Sequence, residues 1–429
     1  MAGALHTPRD AAAADSALRD AVPSATPPAA PLRCRVLAVR LDSDGDVLLT
    51  GPALRLLARS AVRLDLLASS AGAAAASLLP GIDEVLVFDA PWSGYAPPPV
   101  DAAEVEALVR RLVERRYDGC VIFTSFHQSP LPMALLARLA GISFVAATSV
   151  DYPGSLLDVR HRRPDGLHEV EAALDLARAA LDGAGGTSTA STAGSSALAS
   201  STSTAVGGTS TSASSTSTAV GGTTTSDVRL AVRRPLPDVD HLVPDRPYVA
   251  LHPGASVPSR ALTTGHAGEI AAALVDAGRT VVVTGGPGER VAGAAVAAAG
   301  RATGVHDDTS VVDLCGRTSF AELAGVLAAA DCVVVGNTGP AHLAAAVGTP
   351  VVSLFSPVVP AERWRPYGVP TALLGDQDAA CRGSRARECP VAGHPCLTTV
   401  SPAEVVAAVD RLAPSLAGMT TTSNRGMPV

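Results

Sequence analysis

Residues 331–357 read DCVVVGNTGPAHLAAAVGTPVVSLFSP, and this stretch decides the fold. The apolar run Cys332–Val335 is typical of a buried strand, and a short turn of small residues follows it. An Ala-rich segment then begins at Pro340, a favourable residue for the first turn of a helix, and stops at a Gly-Thr-Pro sequence. A second apolar run, Val351–Phe355, predicts the next strand. The stretch therefore predicts a strand–turn–helix–strand unit of an α/β domain.

The turn itself, Gly336-Asn337-Thr338-Gly339, has the layout of an anion site. A strand, a tight turn and a helix start direct free backbone N–H groups and the positive end of the helix toward one point. The small side chains leave the backbone accessible to a phosphate, and His342 in the first helical turn carries a donor that could reach the same anion. An α/β unit that binds nothing fits this pattern equally well, so the turn alone leaves phosphate binding open.

Length and composition indicate the number of domains and limit the side chains that could bind a phosphate. The 429 residues, 47% of them hydrophobic, are enough for two domains with sizeable cores. The net charge of −7 at pH 7 gives no reason to expect a nucleic-acid partner. All 33 basic residues are arginine, so a phosphate would be held by Arg, His or backbone amides, and Schiff-base chemistry through a lysine is excluded.

Three segments fall outside the predicted domains. Residues 1–31, rich in Ala and Pro, predict a disordered tail without a signal-peptide pattern, and residues 416–429 predict a second tail. Residues 183–227 are mostly Ser, Thr, Gly and Ala and contain STSTAVGG twice; they predict a disordered linker because they bury too little apolar surface. Without an apolar run of 18 residues or a cysteine framework, we expect a cytoplasmic protein.

The remaining chain alternates between strands and helices in two blocks, 32–182 and 228–415. This alternation predicts two α/β domains, each with a parallel sheet covered on both faces, and a cleft between them. The predicted strands are Val36–Arg40, Arg63–Leu67, Glu84–Phe88, Gly119–Thr124, Ser143–Ala147, Tyr248–His252, Thr280–Thr284, Val311–Leu314, Cys332–Val335 and Val351–Phe355. The predicted helices are Val47–Ser60, Val100–Arg116, Pro130–Ala140, Leu167–Leu181, Gly265–Ala277, Glu289–Ala299, Phe320–Ala330, Pro340–Val347 and Pro402–Leu412.

Loops after three strands of the second block carry candidate binding residues, at the strand ends where open α/β sheets bind ligands. Ser256 and Arg260 follow the first strand, Glu289 follows the second, and the Gly336–Gly339 turn follows the fourth. Together they describe a nucleotide-sized site, with Arg260 and backbone amides for phosphates and the Glu289 carboxylate for ribose hydroxyls. Glu289 also fits an acid that complements the start of a helix, and the sequence leaves both readings open.

Carboxylates are concentrated where the first block begins its first helix. Residues 40–47 read RLDSDGDV and place Asp42, Asp44 and Asp46 within five positions. Side chains of this kind at a helix start can simply cap the helix, and at least one of the three is expected to do so. A carboxylate that faces a cleft between domains is, however, what a general base needs in order to take a proton from a sugar hydroxyl.

Five segments together resemble glycosyltransferase family 9, the ADP-heptose:lipopolysaccharide heptosyltransferase-like proteins. The resemblance spans roughly residues 35–181 and 248–412. Its segments, in chain order, are RLDSDGDVLLTGPALR, LHPGAS, VTGGPGER, GNTGPAHLAAAVGTPVVSLFSPVVPAERWRPYG and CRGSRARECPVAGHPCL.

This resemblance implies an α/β protein of the GT-B type, a pair of Rossmann-like domains with a central cleft. It implies inverting transfer, without a catalytic metal or other cofactor, of a heptose-like sugar from an ADP-linked nucleotide diphosphate donor. The acceptor would be a hydroxyl of a glycan or glycolipid, so contact with the inner face of the membrane comes into consideration. Asp46 falls on the family's general base, and the nucleotide-sugar contacts fall on Ser256, Arg260, Glu289, Asn337, Thr338, Gly339 and His342.

The chain departs from the family pattern in its phosphate contacts. Asn337 stands where the family usually has Asp, which loses a charge and puts the sugar preference in doubt. Arg260 replaces the usual Lys, which keeps the charge and adds a planar fork suited to two phosphate oxygens.

The cysteine-rich segment leaves two structures open. Ser384 occupies a position that is often Cys, while Cys381, Cys389 and Cys396 remain, with His394 nearby. These four side chains could form a Cys₃His zinc site. A loop with buried thiols is favoured, because the spacings match no tight metal motif.

Other functions fit the same residues. A GT-B-type epimerase acting on a nucleotide sugar would convert its donor without an acceptor. A nucleotide-sugar-binding protein without catalytic activity is suggested by Asn337 and would bind the donor without transferring its sugar.

Overall fold

The computed structural model describes residues 34–94, 97–125, 128–187, 228–302 and 310–414, the side chains of residues 186 and 187 excepted. Both predicted tails and residues 188–227 of the predicted linker lie outside these ranges. The described residues form two α/β halves, which meet the expectation of two α/β blocks.

The N-terminal half begins its sheet with Arg35. Its elements are β1 (Arg35–Arg40), α1 (Asp44–Ala58), β2 (Arg63–Ala68), α2 (Ala73–Leu78), β3 (Glu84–Val87), α3 (Ala102–Arg115), β4 (Gly119–Phe123), α4 (Leu131–Leu139), β5 (Phe144–Thr148), β6 (Val159–His161) and α5 (Glu169–Thr187). The C-terminal half contains β7 (Tyr248–His252), α6 (Thr264–Asp276), β8 (Thr280–Val283), α7 (Arg290–Arg301), β9 (Val311–Asp313), α8 (Phe320–Ala329), β10 (Cys332–Gly336), α9 (Gly339–Val347), β11 (Val351–Leu354), α10 (Ala361–Trp364), β12 (Thr371–Leu374), α11 (Pro395–Thr398) and α12 (Pro402–Leu412).

Both sheets are parallel, and their strands follow the same order. That order is β3-β2-β1-β4-β5-β6 in the N-terminal half and, read in the same sense, β9-β8-β7-β10-β11-β12 in the C-terminal half. Sheets of this type bind ligands beyond the carboxyl ends of the two central strands, where the winding reverses. These switch points lie between β1 and β4 and between β7 and β10. The predicted pair of Rossmann-like domains is confirmed.

The central strands are largely buried, as expected for parallel strands with helices on both faces. All residues of β4, β7 and β10 are buried, and Val, Leu and Ala fill the cores. One apolar cluster continues from one half into the other: α1 contributes Val47 and Leu48, and α9 contributes Ala341 and Leu343. The two halves therefore share a core beside the cleft.

Residues 228–247 connect the two halves, although the sequence assigns them to the C-terminal domain alone. The backbone N–H of Arg233 donates to the carbonyl oxygen of Leu78 at 2.7 Å, and its guanidinium donates to that of Leu79 at 2.8 Å. Leu230 and Val239 are buried in the shared apolar cluster. This segment thus packs against the N-terminal half at the end of α2, before β7 begins.

The other differences from the sequence predictions lie at element boundaries and in short elements. α1 begins at Asp44, three residues before the predicted start, and α5 continues to Thr187, past the predicted domain end at residue 182. α2, β6 and β12 are not predicted, because runs of three to six residues show too little periodicity. Within the described ranges, no helix has both the length and the apolar character needed to span a bilayer.

Candidate active site

The two switch points touch each other at a pair of glycines. A Cβ on Gly45, in the first turn of α1, would lie 3.3 Å from the Cα of Gly339 and 3.1 Å from Cδ2 of His342. A side chain at position 45 would therefore push the two helix starts apart. Because α1 follows β1 and α9 follows β10, this contact joins the carboxyl ends of the central strands of both sheets. It sets the predicted general base beside the predicted phosphate loop.

Asp46 is the third residue of α1, and its two carboxylate oxygens have different surroundings. Oδ1 accepts a hydrogen bond from Nη2 of Arg40 at 3.0 Å, whereas Oδ2 accepts a longer one, 3.3 Å, from the exposed Ser43 hydroxyl. The side chain is 22% exposed. One oxygen is thus fixed by an ion pair and the other is reachable, which is a suitable geometry for a general base.

The neighbouring carboxylates hold structure together, as the capping interpretation expects for at least one of them. Oδ1 of Asp44 accepts from the backbone N–H of Ala75 at 2.9 Å and so stabilises the start of α2. Asp42 forms an ion pair with Nε of Arg40 at 2.8 Å and accepts from the Gln128 amide at 2.7 Å. Burial raises the pKa of Asp42, while Arg40 opposes that rise.

Arg40 is a site residue that the sequence reasoning does not find. Its side chain is only 4% exposed and contacts Asp42, Asp46 and, through Nη2 at 3.0 Å, the hydroxyl of Ser125 just after β4. Burial alone would lower the pKa of the guanidinium, but the attraction of the two carboxylates outweighs it, so the net pKa is raised. The available signal is a charged residue at the end of the strand RVLAVR, directly after four apolar residues.

Asn337 uses its side chain to hold the phosphate loop. Its Nδ2 donates to the carbonyl oxygen of Ser356 at 3.1 Å, and its Oδ1 accepts from the Ser356 N–H at 3.0 Å. The residue is 5% exposed. These bonds tie the end of β10 to the end of β11, so the predicted ligand contact at position 337 is limited to the backbone in this arrangement.

The loop is also held against the segment that carries Arg260. A Cβ on Gly336 would lie 2.5 Å from the carbonyl oxygen of Arg260, so only glycine permits this approach. Nε of Arg260 is buried and has no hydrogen-bond partner among the described residues. Ser256, four residues earlier, is exposed, and the Thr338 side chain does not cap α9. Arg260 and the loop therefore lie together, as the sequence predicts.

His342 faces Asp46 from the first turn of α9. It is 6% exposed, and its Nδ1 has no hydrogen-bond partner among the described residues. Burial lowers its pKa to about 4, and the proximity of His168 and Arg260 adds to that effect while Asp46 opposes it. At neutral pH the ring is uncharged, so it can offer a hydrogen bond to a ligand but no positive charge.

Glu289 lies one strand away from the switch point and caps its own loop. Its Oε2 accepts from the backbone N–H of Gly286 at 2.6 Å, and its carboxylate occupies the space above Gly254. The helix-start interpretation is therefore observed. The proximity to the 252–256 loop keeps the carboxylate near the predicted nucleotide site, and its contact with a ribose stays a prediction.

His168 and Tyr367 join the two halves near the same site. Nε2 of His168 lies 2.9 Å from the carbonyl oxygen of Arg365, and its Nδ1 accepts from the backbone N–H of Val170 at 3.2 Å. The rings of His168 and Tyr367 lie 4.6 Å apart, and the Tyr367 hydroxyl donates to Glu171 at 3.2 Å. These bonds fix a neutral His168 with the proton on Nε2. No periodicity in the sequence indicates this contact, because its partners are almost 200 positions apart.

The cysteine-rich segment forms a folded loop. Cys381 and Cys396 are buried, and burial raises the pKa of the Cys396 thiol to about 11. Cys389 contacts the carbonyl oxygen of Val391, and Nε2 of His394 lies 3.0 Å from the carbonyl oxygen of Ser259. Within the described part of the chain, no three His, Cys, Asp or Glu side chains are grouped as a metal site would require. Cys396 interacts with Cys381 and Cys389, whereas His394 bonds to a different segment of the chain.

Comparisons with known proteins bear on the family and the fold of the chain. The family model "Glycosyltransferase family 9 (heptosyltransferase)" matches residues 105–393, which include every predicted nucleotide-sugar contact but not Asp46. A lipopolysaccharide heptosyltransferase 3 of Escherichia coli is 30% identical over 181 residues, 42% of this chain and 50% of the relative. The matched part of the chain thus spans half of that relative's length.

Solved structures resemble the whole arrangement of two halves. The E. coli ADP-heptose lps heptosyltransferase II has a TM-score of 0.60 at 20% identity, covering 88% of this chain and 98% of that chain. A family 9 glycosyltransferase from Veillonella parvula has a TM-score of 0.61 at 16% identity, covering 90% and 98%. At such identities the likeness shows the fold alone, and it confirms the GT-B architecture. Together with the family model, which covers more than half of the sequence, it shows that this chain belongs to glycosyltransferase family 9.

Proposed function

We propose that this chain is an inverting glycosyltransferase that moves a heptose-like sugar from an ADP-linked donor to a hydroxyl of a glycan or glycolipid. The contact of Gly45 with Gly339 carries the proposal, because it sets Asp46 beside the phosphate loop. Family membership favours transfer over the epimerase and over binding without turnover.

The reaction we propose is a single displacement. The acceptor oxygen forms a bond to the anomeric carbon while its proton passes to Asp46. The bond between that carbon and the diphosphate oxygen breaks, and its electron pair leaves with the nucleotide. Attack from the face opposite the leaving group inverts the configuration. A positioned acid–base group typically contributes about 10²–10⁴ to the rate of such a step.

Groups of the C-terminal half would stabilise the leaving diphosphate. The positive end of α9, the buried Nε of Arg260 and the buried Nδ1 of His342 all lie at its switch point. Negative charge grows on the diphosphate as the bond breaks, so these groups bind the transition state more tightly than the donor and lower the barrier. They supply this stabilisation without a metal ion, and we propose metal-independent transfer.

The substrates and their location follow from the relatives and remain part of the proposal. The structurally similar E. coli protein is named an ADP-heptose lps heptosyltransferase, which supports an ADP-linked donor. Glu289 would bind the ribose, and the acceptor would approach over the N-terminal sheet. We place the reaction in the cytoplasm, at the inner face of the membrane when the acceptor is a glycolipid.

A donor screen tests the binding half of this proposal. Thermal unfolding is followed with ADP-, GDP-, UDP- and dTDP-sugars, because a ligand that binds only the folded state raises its Tm. We expect ADP-heptose to give the largest increase and the Arg260→Gln variant to give a smaller one. Exposed Arg382, which pairs with Asp378, provides the matched control: Arg382→Gln should respond like the parent. If no nucleotide sugar raises the Tm, the proposal is wrong.

An acceptor test separates transfer from its rivals. ADP release from the best donor is measured with and without lipopolysaccharide that lacks heptose. Release that depends on the acceptor supports transfer to it. Conversion of the donor sugar without any acceptor would indicate an epimerase. Donor binding with neither conversion nor release, across a panel of glycan and glycolipid acceptors, would indicate a protein that only binds nucleotide sugars.

A further inference from the structure

We propose that Arg40 is the positioning residue of Asp46, an inference that rests on the general-base role proposed above. The Arg40 side chain is 4% exposed and holds Oδ1 of Asp46 through Nη2 at 3.0 Å. The same nitrogen donates to the hydroxyl of Ser125 at 3.0 Å, while Nε pairs with Asp42 at 2.8 Å. The guanidinium thus spans the switch point from the end of β1 to the end of β4 and fixes the carboxylate between them.

Because Arg40 holds Oδ1 of Asp46, we assign the proton transfer to Oδ2. Oδ1 is occupied by the ion pair, whereas Oδ2 is bound, among the described residues, by the exposed Ser43 hydroxyl alone, at 3.3 Å. The acceptor hydroxyl therefore gives its proton to Oδ2. As that O–H bond breaks, the acceptor oxygen uses the electron pair to attack the anomeric carbon, and the diphosphate leaves with the pair of the broken glycosidic bond. Asp46 ends the step protonated on Oδ2, with Oδ1 still bound to Arg40.

An arginine is suited to this position and a lysine is not. The planar guanidinium donates hydrogen bonds from Nη2 to a carboxylate and a hydroxyl, while Nε lies 2.8 Å from a second carboxylate as an ion pair without hydrogen-bond alignment. An ammonium presents a single compact charge. The charged groups around it are Asp42 and Asp46 at the start of α1 and Glu169 at the start of α5. His342 of α9 faces Asp46 from the other half and is neutral. Arg40 is therefore the cation shared by Asp42 and Asp46, while Glu169 pairs with Arg163 at 2.7 Å.

Substitution of Arg40 gives a readout that a purely structural residue would not give. In Arg40→Gln we expect kcat to fall by about 10²-fold, because a misplaced reacting group costs roughly that much. Donor KM should change by no more than about threefold, since the donor lies on the other half. Without the positive charge the acid limb of kcat/KM should move to higher pH, because a nearby cation favours the ionised form of an acid. Arg40→Lys should restore the acid limb but not the full kcat.

Arg63 provides a matched control. It pairs with buried Asp65 at 2.8 Å and with Glu84 at 2.6 Å, at the start of β2 and away from the cleft. Arg63→Gln should lower stability and leave the acid limb in place. The thermal shift given by the donor shows which variants are folded. If Arg40→Gln does not fold, the Arg40→Lys variant tests the inference by itself. A kcat at least about tenfold below the parent supports the positioning role of the guanidinium, and a parental kcat contradicts it.

The outcomes separate this inference from the function on which it rests. If Asp46→Asn transfers sugar at the parental rate, the general-base proposal itself fails. If Asp46→Asn is inactive while Arg40→Gln keeps the parental kcat and acid limb, only the positioning role is overturned. If Arg40→Gln loses kcat without moving the acid limb, Arg40 has a structural role and the inference is wrong.

Discussion

The two switch points have the same strand order and opposite chemistry. In the N-terminal half, Arg40 ends the central strand, carboxylates follow it, and the first turn of α1 contains Asp44 and Asp46. In the C-terminal half, small residues follow the central strand, and the first turn of α9 contains no acid. The shared topology fixes where a ligand can bind, and the side chains at each helix start decide which reaction step that place can serve.

The difference is electrostatic. Asp44 and Asp46 complement the positive end of α1 from within the protein. The first turn of α9 contains no acid of its own, and Arg260 lies alongside it. In the function we propose, one half takes the proton and the other holds the diphosphate.

The largest expected effect comes from neutralising the acid of the N-terminal half. Asp46→Asn keeps the side-chain shape but removes the base, so turnover should fall by about 10²–10⁴-fold while donor affinity stays within a few-fold. ADP release and donor binding are measured side by side. Asp44→Asn is the control, because Asp44 binds the start of α2 and should affect stability more than turnover. Parental turnover in Asp46→Asn would contradict the assignment.

Placing an acid at the start of α9 should remove the electrostatic difference between the two helix starts and weaken donor binding. In Thr338→Asp a carboxylate stands at the start of α9, competes for its positive end and repels the diphosphate. Donor affinity, measured by calorimetry, should fall by about tenfold to 10²-fold. Thr338→Asn has nearly the same size without the charge and should bind within a few-fold of the parent. Equal loss in both variants would show that size, not charge, matters there.

Low pH should destabilise the protein, because each half contributes a buried histidine near the contact between α1 and α9. Burial lowers the pKa of both His342 and His168 to about 4, from an ordinary 6.5. The unfolded chain therefore binds protons first, so the free energy of unfolding should fall from about pH 6.5 toward pH 4, on the order of 2 kcal/mol for each ring, and level off below that. Urea unfolding at pH 7.5, 5.5 and 4.5 measures the change.

A variant without one of these rings provides the control for the pH series. Gln at position 168 can still donate to the Arg365 carbonyl oxygen but does not titrate. His168→Gln should therefore lose less stability than the parent over the same pH range. An identical loss would show that His168 does not contribute.

The smallest expected effect concerns the family's usual Asp in the phosphate loop. Asn337→Asp removes the donor to the Ser356 carbonyl oxygen, so we expect a loss of about 1–2 kcal/mol in the free energy of unfolding. Ser356→Ala leaves both backbone bonds in place and should cost less. A gain of transfer activity in Asn337→Asp would contradict the structural role and support the view that the natural chain only binds its ligand.

The sequence predicts the site best where the signal is local. The small-residue turn after Val335, the helix start at Gly339 and Pro340, and the position of Arg260 after a strand all depend on residues within ten positions of one another. Topology then brings these segments together without further information, because the carboxyl ends of parallel strands lie at one edge of a sheet. Asp46 is found in the same way, at the start of a helix that follows the first strand.

The sequence fails where partners are distant. Nothing near Arg40 indicates that Ser125 binds it, and nothing near His168 indicates Arg365. The bonds of Asn337 to Ser356 likewise change a predicted ligand contact into a loop support. Each of these pairs forms only after the sheets have assembled.

The sequence alone determined two parallel-sheet domains, the family, and the chemical types available at each strand end, because apolar periodicity and short motifs are local properties of a chain. The tertiary structure decided which partners each of the three neighbouring carboxylates binds, and that α1 and α9 meet through Gly45. Those outcomes depend on burial and on contacts between the two halves, and burial is a property of the assembled sheets that no single segment carries.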